Sequence, residues 1–246
     1  MLIKDRVALI TGGARIGQAV SRALAERGAH VALTYLSSKK RIQVAASDVK
    51  SRGRRSIVLK ANLTLEKDLA DIIPKVEDEF GRLDILVNMA STYERIPSRR
   101  LNLRVWKQSI DANLKHVYHL SLEASRLMKK NGGGRIINFS DWTAASGRPR
   151  YKDLIPYYAA KAGVIGLTEV LALELAPNIL VNAIAPGPIM PPRAGISAKE
   201  NQEVIRATPL RKWGGAEEIA KAVLFLIETD FVTGECIRLD GGRHLY

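Results

Sequence analysis

Short apolar runs alternate with longer segments of helical period along the whole 246-residue chain. The runs Val7–Ile10, Val31–Tyr35, Ser56–Leu59, Ile85–Asn88, Arg135–Phe139, Leu180–Ile184 and Cys236–Leu239 predict strands. Between them, Gly17–Arg27, Lys40–Ser51, Glu66–Phe80, Asp111–Lys130, Tyr157–Ala176 and Ala216–Thr229 are amphipathic stretches that predict helices. Strands that are apolar throughout need cover on both faces, which a parallel sheet flanked by helices supplies. Right-handed crossovers then make the chain an α/β, doubly wound sheet of about seven strands. No repeat, low-complexity tract or linker interrupts the pattern, so residues 1–246 are read as one domain.

One stretch departs from this alternation. Pro186–Pro209 contains Pro186, Pro188, Pro191, Pro192 and Pro209 together with Gly187 and Gly195. Prolines at that density exclude a continuous helix or a central strand. The stretch leaves the carboxyl end of the sixth strand, where open α/β sheets bind ligands. It is read either as a lid over a substrate or as a long surface loop.

Composition narrows the class. The chain is 46% hydrophobic and 26% charged, ordinary for a globular protein with a large core. No apolar run approaches the roughly 20 residues that span a bilayer. Met1–Thr11, interrupted by Lys4, Asp5 and Arg6, lacks the layout of a signal peptide, so a cytoplasmic protein without membrane contact is expected. Cys236 is the only cysteine, and His30, His116, His119 and His244 lack companions for a ligand set, so no metal is expected. The net charge of +13 is spread over short clusters at Lys39–Arg41, Arg52–Arg55, Arg99–Arg100 and Lys129–Lys130. It has two readings: a solvated basic surface, or steering of an anionic cofactor or partner. No run is long enough for a basic tail, and sequence-specific nucleic-acid binding is not expected.

Thr11-Gly12-Gly13-Ala14-Arg15-Ile16-Gly17 follows the first strand directly and opens a helix. Glycines there let the backbone approach a pyrophosphate, while the helix start offers free N–H groups and a positive dipole end. This is the Rossmann arrangement for a dinucleotide, with Gly12, Arg15, Ile16 and Gly17 in the binding set. An NAD site usually places a carboxylate at the end of strand two. Here Thr34-Tyr35-Leu36-Ser37-Ser38-Lys39-Lys40 has none before Asp48. Tyr35, Ser37 and Ser38, with Arg15 in reach, favour a 2′-phosphate, so NADP(H) is expected. Lys39 and Lys40 also read simply as the start of an exposed helix.

Tyr157 and Lys161 stand four residues apart, on one helix face about 6 Å apart along the axis. At an effective dielectric near 20 they interact by roughly 3 kcal/mol, about two pKa units. The pair is therefore expected to lower the phenol from about 10 to around 8, within reach of acid–base work. Tyr158 has no lysine at that spacing.

The glycine turn, Asn88-Met89-Ala90-Ser91, Asn113, the Tyr157/Lys161 pair and Pro186-Gly187 are similar, in order and over essentially the whole chain, to the short-chain dehydrogenase/reductase family. The resemblance implies that Tyr157 is the general acid/base and that Lys161 holds the nicotinamide ribose while depressing the tyrosine pKa. It implies that Asn113 helps hold a water and proton relay. Asn88 and Ala90 would line the cofactor, Pro186, Gly187 and Ile189 would touch its nicotinamide end, and Asn62 and Leu63 belong to the same cofactor-binding set.

Two departures matter. The turn between Gly12 and Gly17 is one residue shorter than the family's usual form. The family's catalytic serine stands three residues after the asparagine of strand five; counted from Asn138, that place holds Asp141, and Ser140 is one residue early. An ionised carboxylate accepts hydrogen bonds but cannot donate one to a carbonyl. Asp141 is thus either an active-site group or a helix cap, with Ser140 in the family's role. The aspartate, Arg15, Ala90-Ser91 and Tyr93 resemble the pteridine reductase branch, in which Tyr93 would stack on a flat heterocycle; local packing of Tyr93 is the other reading. The resemblance implies NADPH-dependent hydride transfer to a C=N or C=O group, of a pterin where the pteridine reductase likeness holds, with Ser91, Tyr93, Asp141 and Tyr157 around the small-molecule substrate. The alternatives are a 3-oxoacyl carrier-protein reductase, another carbonyl reductase of the family, and a catalytically silent dinucleotide sensor. A homotetramer or homodimer is implied by the same resemblance.

Overall fold

The computed structural model describes residues 1–12, 14–192 and 195–245. Its strands are β1 (Val7–Thr11), β2 (His30–Tyr35), β3 (Ser56–Lys60), β4 (Ile85–Asn88), β5 (Gly134–Phe139), β6 (Ile179–Pro186) and β7 (Cys236–Leu239). They form one 7-stranded sheet in the order β3-β2-β1-β4-β5-β6-β7, and every neighbouring pair is parallel. The order reverses between β1 and β4, so the first and fourth strands diverge into loops on opposite sides of one crevice.

The helices are α1 (Ile16–Glu26), α2 (Lys39–Ser51), α3 (Glu66–Phe80), α4 (Leu103–Ile110), α5 (His116–Lys130), α6 (Trp142–Ala145), α7 (Ile155–Leu175), α8 (Ala198–Arg206) and α9 (Ala216–Glu228). They cover both faces. On one face Val20 and Leu24 of α1, Ile42 of α2 and Val223 of α9 pack on Ile10, Leu33 and Val87. On the other, Leu69 and Ile72 of α3, Leu120 of α5 and Leu171 of α7 pack on Leu9, Leu86 and Val181. β1 and β4 are buried at every position, as their unbroken apolar runs predict.

Two elements differ from the sequence expectation. The helix expected from Asp111 begins earlier, at Leu103, where Asn102 caps it by accepting a hydrogen bond from the Val105 N–H at 3.0 Å. It then passes through a π-helical turn, Asp111–Lys115, before continuing as α5. Inside the proline-rich stretch lies α8, started by a capping box in which Ser197 and Glu200 satisfy each other's backbone N–H groups. It occupies the proline-free interval between Pro192 and Pro209, so the prolines bound a helix rather than exclude one.

At the amino edge, Asp84 locks β1 to β4. Its fully buried carboxylate accepts from the Val7 N–H at 2.9 Å, Arg6 at 3.0 Å and Arg82 at 2.8 and 2.6 Å. Asp84→Ala would leave a buried N–H and two guanidinium groups without their acceptor. It is expected to lower unfolding free energy by about 3 kcal/mol in chemical denaturation, and a loss below about 1 kcal/mol would contradict that role.

Candidate active site

The loops leaving β1, β2 and β4 are tied together at the carboxyl edge. Thr11 Oγ1 accepts from the Met89 and Ala90 N–H groups, both at 3.1 Å, and the Gly12 N–H donates to Thr34 Oγ1 at 3.4 Å. Gly12 has φ +73°, and a Cβ there would sit 2.8 Å from Ala90 Cα, so no other residue closes this turn without displacement. Above it opens a cavity of about 610 Å³, lined among others by Gly12, Arg15, Ile16, Gly17, Tyr35 and Ser37. Ser38, Asn62, Leu63, Ala90, Ser91 and Tyr93 complete the predicted residues in its wall. No carboxylate lines it among the described residues. α1 begins there without a side-chain cap, which leaves first-turn N–H groups free. A groove with free N–H groups, hydroxyls and a guanidinium, but no carboxylate, fits a phosphorylated dinucleotide.

Some predicted cofactor residues lie elsewhere. Asn88 is buried beneath the groove, where its amide donates to Asn138 Oδ1 at 3.0 Å and Ser121 Oγ at 3.3 Å. Pro186, Gly187 and Ile189 stand outside the groove lining: a Cβ on Gly187 would come within 2.5 Å of Asp240 Cβ, and Ile189 packs into the core. Arg15 reaches over to the loop after β6, donating to the Pro191 carbonyl at 2.7 Å.

The acid–base cluster joins β5 to α7. Asp141 caps α6 through one carboxylate oxygen, which accepts from the Thr143 N–H at 2.8 Å and its hydroxyl at 2.6 Å. The other oxygen accepts from the Tyr157 hydroxyl at 3.0 Å. Asp141 is therefore a helix cap that also touches the Tyr157 hydroxyl. Ser140 faces the opposite way, its hydroxyl buried and donating to the Lys161 carbonyl at 2.8 Å. Lys161, 2% exposed, donates from Nζ to the Phe139 carbonyl at 2.7 Å, and its ammonium lies 5.9 Å from the Tyr157 ring centroid. Tyr158 lies outside the cluster, lining a separate cavity with Tyr151 and Leu154.

The electrostatics correct the expected phenol. Burial, with Tyr157 only 7% exposed, holds its pKa well above the ordinary tyrosine value, and the Asp141 charge adds to the rise. Burial lowers Lys161 to about 8, against which the Asp141 charge acts. The sequence spacing placed an ammonium near the phenol correctly. It carried no information about the carboxylate that touches the hydroxyl, nor about desolvation, and both penalise the phenolate.

Asn113 sits in the π-helical turn and is buried. Its carbonyl oxygen accepts from Ser91 Oγ at 2.7 Å and the Thr92 N–H at 3.0 Å, while its amide donates to the Ser109 carbonyl at 3.0 Å. The π turn thus anchors the loop that carries Tyr93. Tyr93 meets Tyr157 edge to face with centroids 5.0 Å apart, yet stays 55% exposed, so it packs locally and still presents a ring face. His116 is a core residue, pushed down to about 3 by burial and the Lys161 charge. Arg95 and Arg100 line a second cavity beside Tyr157 and went unassigned in the sequence; only the unpaired Arg99-Arg100 cluster marked their region. No metal-binding group of His, Cys, Asp and Glu is present among the described residues, and no helix of these is long and apolar enough to cross a membrane.

Comparison with known proteins agrees with this architecture. A family model described as enoyl-(acyl carrier protein) reductase matches residues 13–244. A 3-oxoacyl-[acyl-carrier-protein] reductase of Staphylococcus epidermidis is 33% identical over 98% of this chain and 100% of the relative. A short-chain dehydrogenase/reductase of Serratia marcescens superposes with TM-score 0.91 at 31% identity, covering 99% of this chain and 100% of the other. The FolM alternative dihydrofolate reductase 1 of Brucella canis, solved with NADP, superposes with TM-score 0.89 at 29% identity, covering 100% and 97%. With a matched family model over most of its length and full-length relatives, the chain belongs to the short-chain dehydrogenase/reductase family of oxidoreductases.

Proposed function

We propose that the protein is an NADP(H)-dependent reductase in which Tyr157 protonates a substrate C=O or C=N group as hydride arrives. The observation that carries this reading is the buried Tyr157–Asp141–Lys161 cluster, which meets the wall of a carboxylate-free groove at Phe139 and Tyr93. A bound nicotinamide dinucleotide supplies the hydride. Gly12, Arg15, Ile16, Gly17, Tyr35, Ser37, Ser38, Asn62, Leu63 and Ala90 would hold it along the groove, with Asn88 supporting the floor. Lys161 would stand at the ribose beside Pro186, Gly187 and Ile189.

A phenol whose pKa is raised stays protonated at neutral pH, the state a reductase needs in its acid. The Lys161 ammonium persists below pH about 8 and is lost as pH rises through that value. Asp141 orients the Tyr157 proton and offers an acceptor to substrate N–H groups. Asn113 holds Ser91 and Thr92 in place against this site.

For the substrate, the sequence relatives weigh toward a 3-oxoacyl thioester, since a full-length relative carries that activity in its name. A pterin is the second reading. It is favoured by Asp141 in place of a hydroxyl donor and by the open Tyr93 face, and one solved neighbour is named as an alternative dihydrofolate reductase. Exposed Ile155, Val170 and Leu173 on α7 and Tyr118 on α5 support association into a homodimer or homotetramer. A cytoplasmic address is part of the same proposal.

Tyr157→Phe is expected to lower kcat by about 10²–10⁴-fold while leaving NADPH affinity nearly intact, measured by nicotinamide absorbance and by titration. Normal turnover in this variant would remove Tyr157 from the mechanism. Asp141→Asn keeps a residue able to cap α6 but removes the charge. The alkaline limb of its kcat/KM profile is expected at lower pH, because both the phenol and the ammonium lose a neighbour that raises their pKa. An unmoved limb would contradict the electrostatic role. A panel of acetoacetyl thioesters, dihydropterins and simple ketones separates the two substrate readings. Consumption of NADPH with none of them would leave a silent dinucleotide sensor.

A further inference from the structure

Two exposed arginines without ion pairs among the described residues line the same opening as Tyr157. Some arginines and lysines are matched with acids, as in Arg22–Asp48, Arg52–Glu26 and Lys75–Asp71. Lys107 and Lys115 are likewise both paired with Asp111, at 2.6 and 3.3 Å. The loop after β4 is different. Arg95, Arg99, Arg100 and Arg104 form no ion pair among the described residues, and neither do Arg148, Arg150 and Lys152 on the loop before α7. The loop after β4 borders a cavity of about 440 Å³ whose wall contains Tyr157 itself.

Two of the cations belong to that wall. Arg95 and Arg100 line it, with Glu94 as its single acid, so the local balance stays positive. Arg95 is oriented rather than free: its guanidinium lies over the Tyr151 ring, 5.4 Å from the centroid, and it faces the Tyr93 phenol. A planar guanidinium seated on a ring keeps its N–H edge for an acceptor. Gln108 and Ser109 add neutral polar groups to the same wall.

The geometry points to an anion subsite in this cavity, which adjoins the dinucleotide groove at Thr64, Thr92 and Ala112: Arg95 and Arg100 bind a carboxylate or phosphate carried by the substrate. The inference rests on the reductase reading and adds a substrate class to it, a carbonyl or imine compound with an anionic arm. The shared chemistry is an oxyanion accepting charge-assisted N–H bonds. Both arginines are exposed, so glutamine at either place leaves the core untouched.

The test uses two matched pairs with the full-length enzyme and NADPH at low salt. Acetoacetyl-CoA against acetoacetyl-N-acetylcysteamine reports on phosphate, and dihydrofolate against dihydrobiopterin reports on carboxylate. In the wild type, kcat/KM is expected to favour the anionic member of one pair by about 10- to 100-fold, the range of a charge-assisted bond. Arg95→Gln and Arg100→Gln are expected to bring that ratio toward one. Arg99→Gln, a neighbouring cation outside the wall, is expected to leave it within about twofold. Equal use of both members in the wild type, or an equal fall with Arg99→Gln, overturns the subsite in favour of diffuse surface charge.

If no compound consumes NADPH, the reductase reading fails separately. The subsite is then decided by titrating CoA and dihydrofolate into the NADP⁺-saturated protein. Binding weakened about tenfold or more in Arg100→Gln sustains it, and absent or unchanged binding overturns it.

Discussion

Tyr157 donates a hydrogen bond to Asp141, and Asp141 is also the cap of the helix that follows β5. One carboxylate thus does two tasks, and each constrains the other. The cap fixes the side chain at the end of a fully buried strand, so the hydrogen bond to Tyr157 is held without freezing a mobile side chain. The bond then fixes the phenol from a helix on the far side of the loop. A serine at this place would leave the phenol without an adjacent negative charge. With aspartate, burial and charge act in one direction and keep the Tyr157 phenol protonated.

The lysine illustrates why a buried charge needs its own partners. Lys161 is almost wholly enclosed, and its ammonium is satisfied by the Phe139 carbonyl at the end of β5. The same strand end supplies Ser140, whose hydroxyl secures the Lys161 backbone carbonyl. Three consecutive residues, Phe139 to Asp141, therefore position both members of the Tyr157/Lys161 pair. This explains how a helix of mixed apolar character presents two polar groups to the same point without a buried group left unmatched.

The loop after β4 is positioned by a different device. The π turn at Asp111–Lys115 adds a residue to an otherwise continuous helix, which turns Asn113 toward the β4 loop instead of along the helix ladder. Asn113 then carries Ser91 and Thr92, and with them Tyr93 and Arg95. The loop that presents an aromatic face and cations is thus anchored at one buried amide, while its outer portion remains polar and open.

The sequence by itself determined the layer architecture, because strands apolar on both faces and helices apolar on one admit few arrangements. All seven strands lie where the apolar runs fall, and the Tyr157/Lys161 spacing and the carboxylate-free end of β2 were legible for the same local reason. It also showed Asp141 at an unusual place, but not which role it fills. Only the tertiary structure decided that Asp141 and Tyr157, sixteen residues apart in the chain, share a hydrogen bond. Only it showed that the phenol is raised rather than lowered, that Ser140 turns away, and that Arg95 and Arg100 share a wall with Tyr157. The physical reason is common to all four. Periodicity reports which face of an element is buried, whereas hydrogen-bond partners, desolvation and cavity walls arise between elements that meet only after the chain has folded.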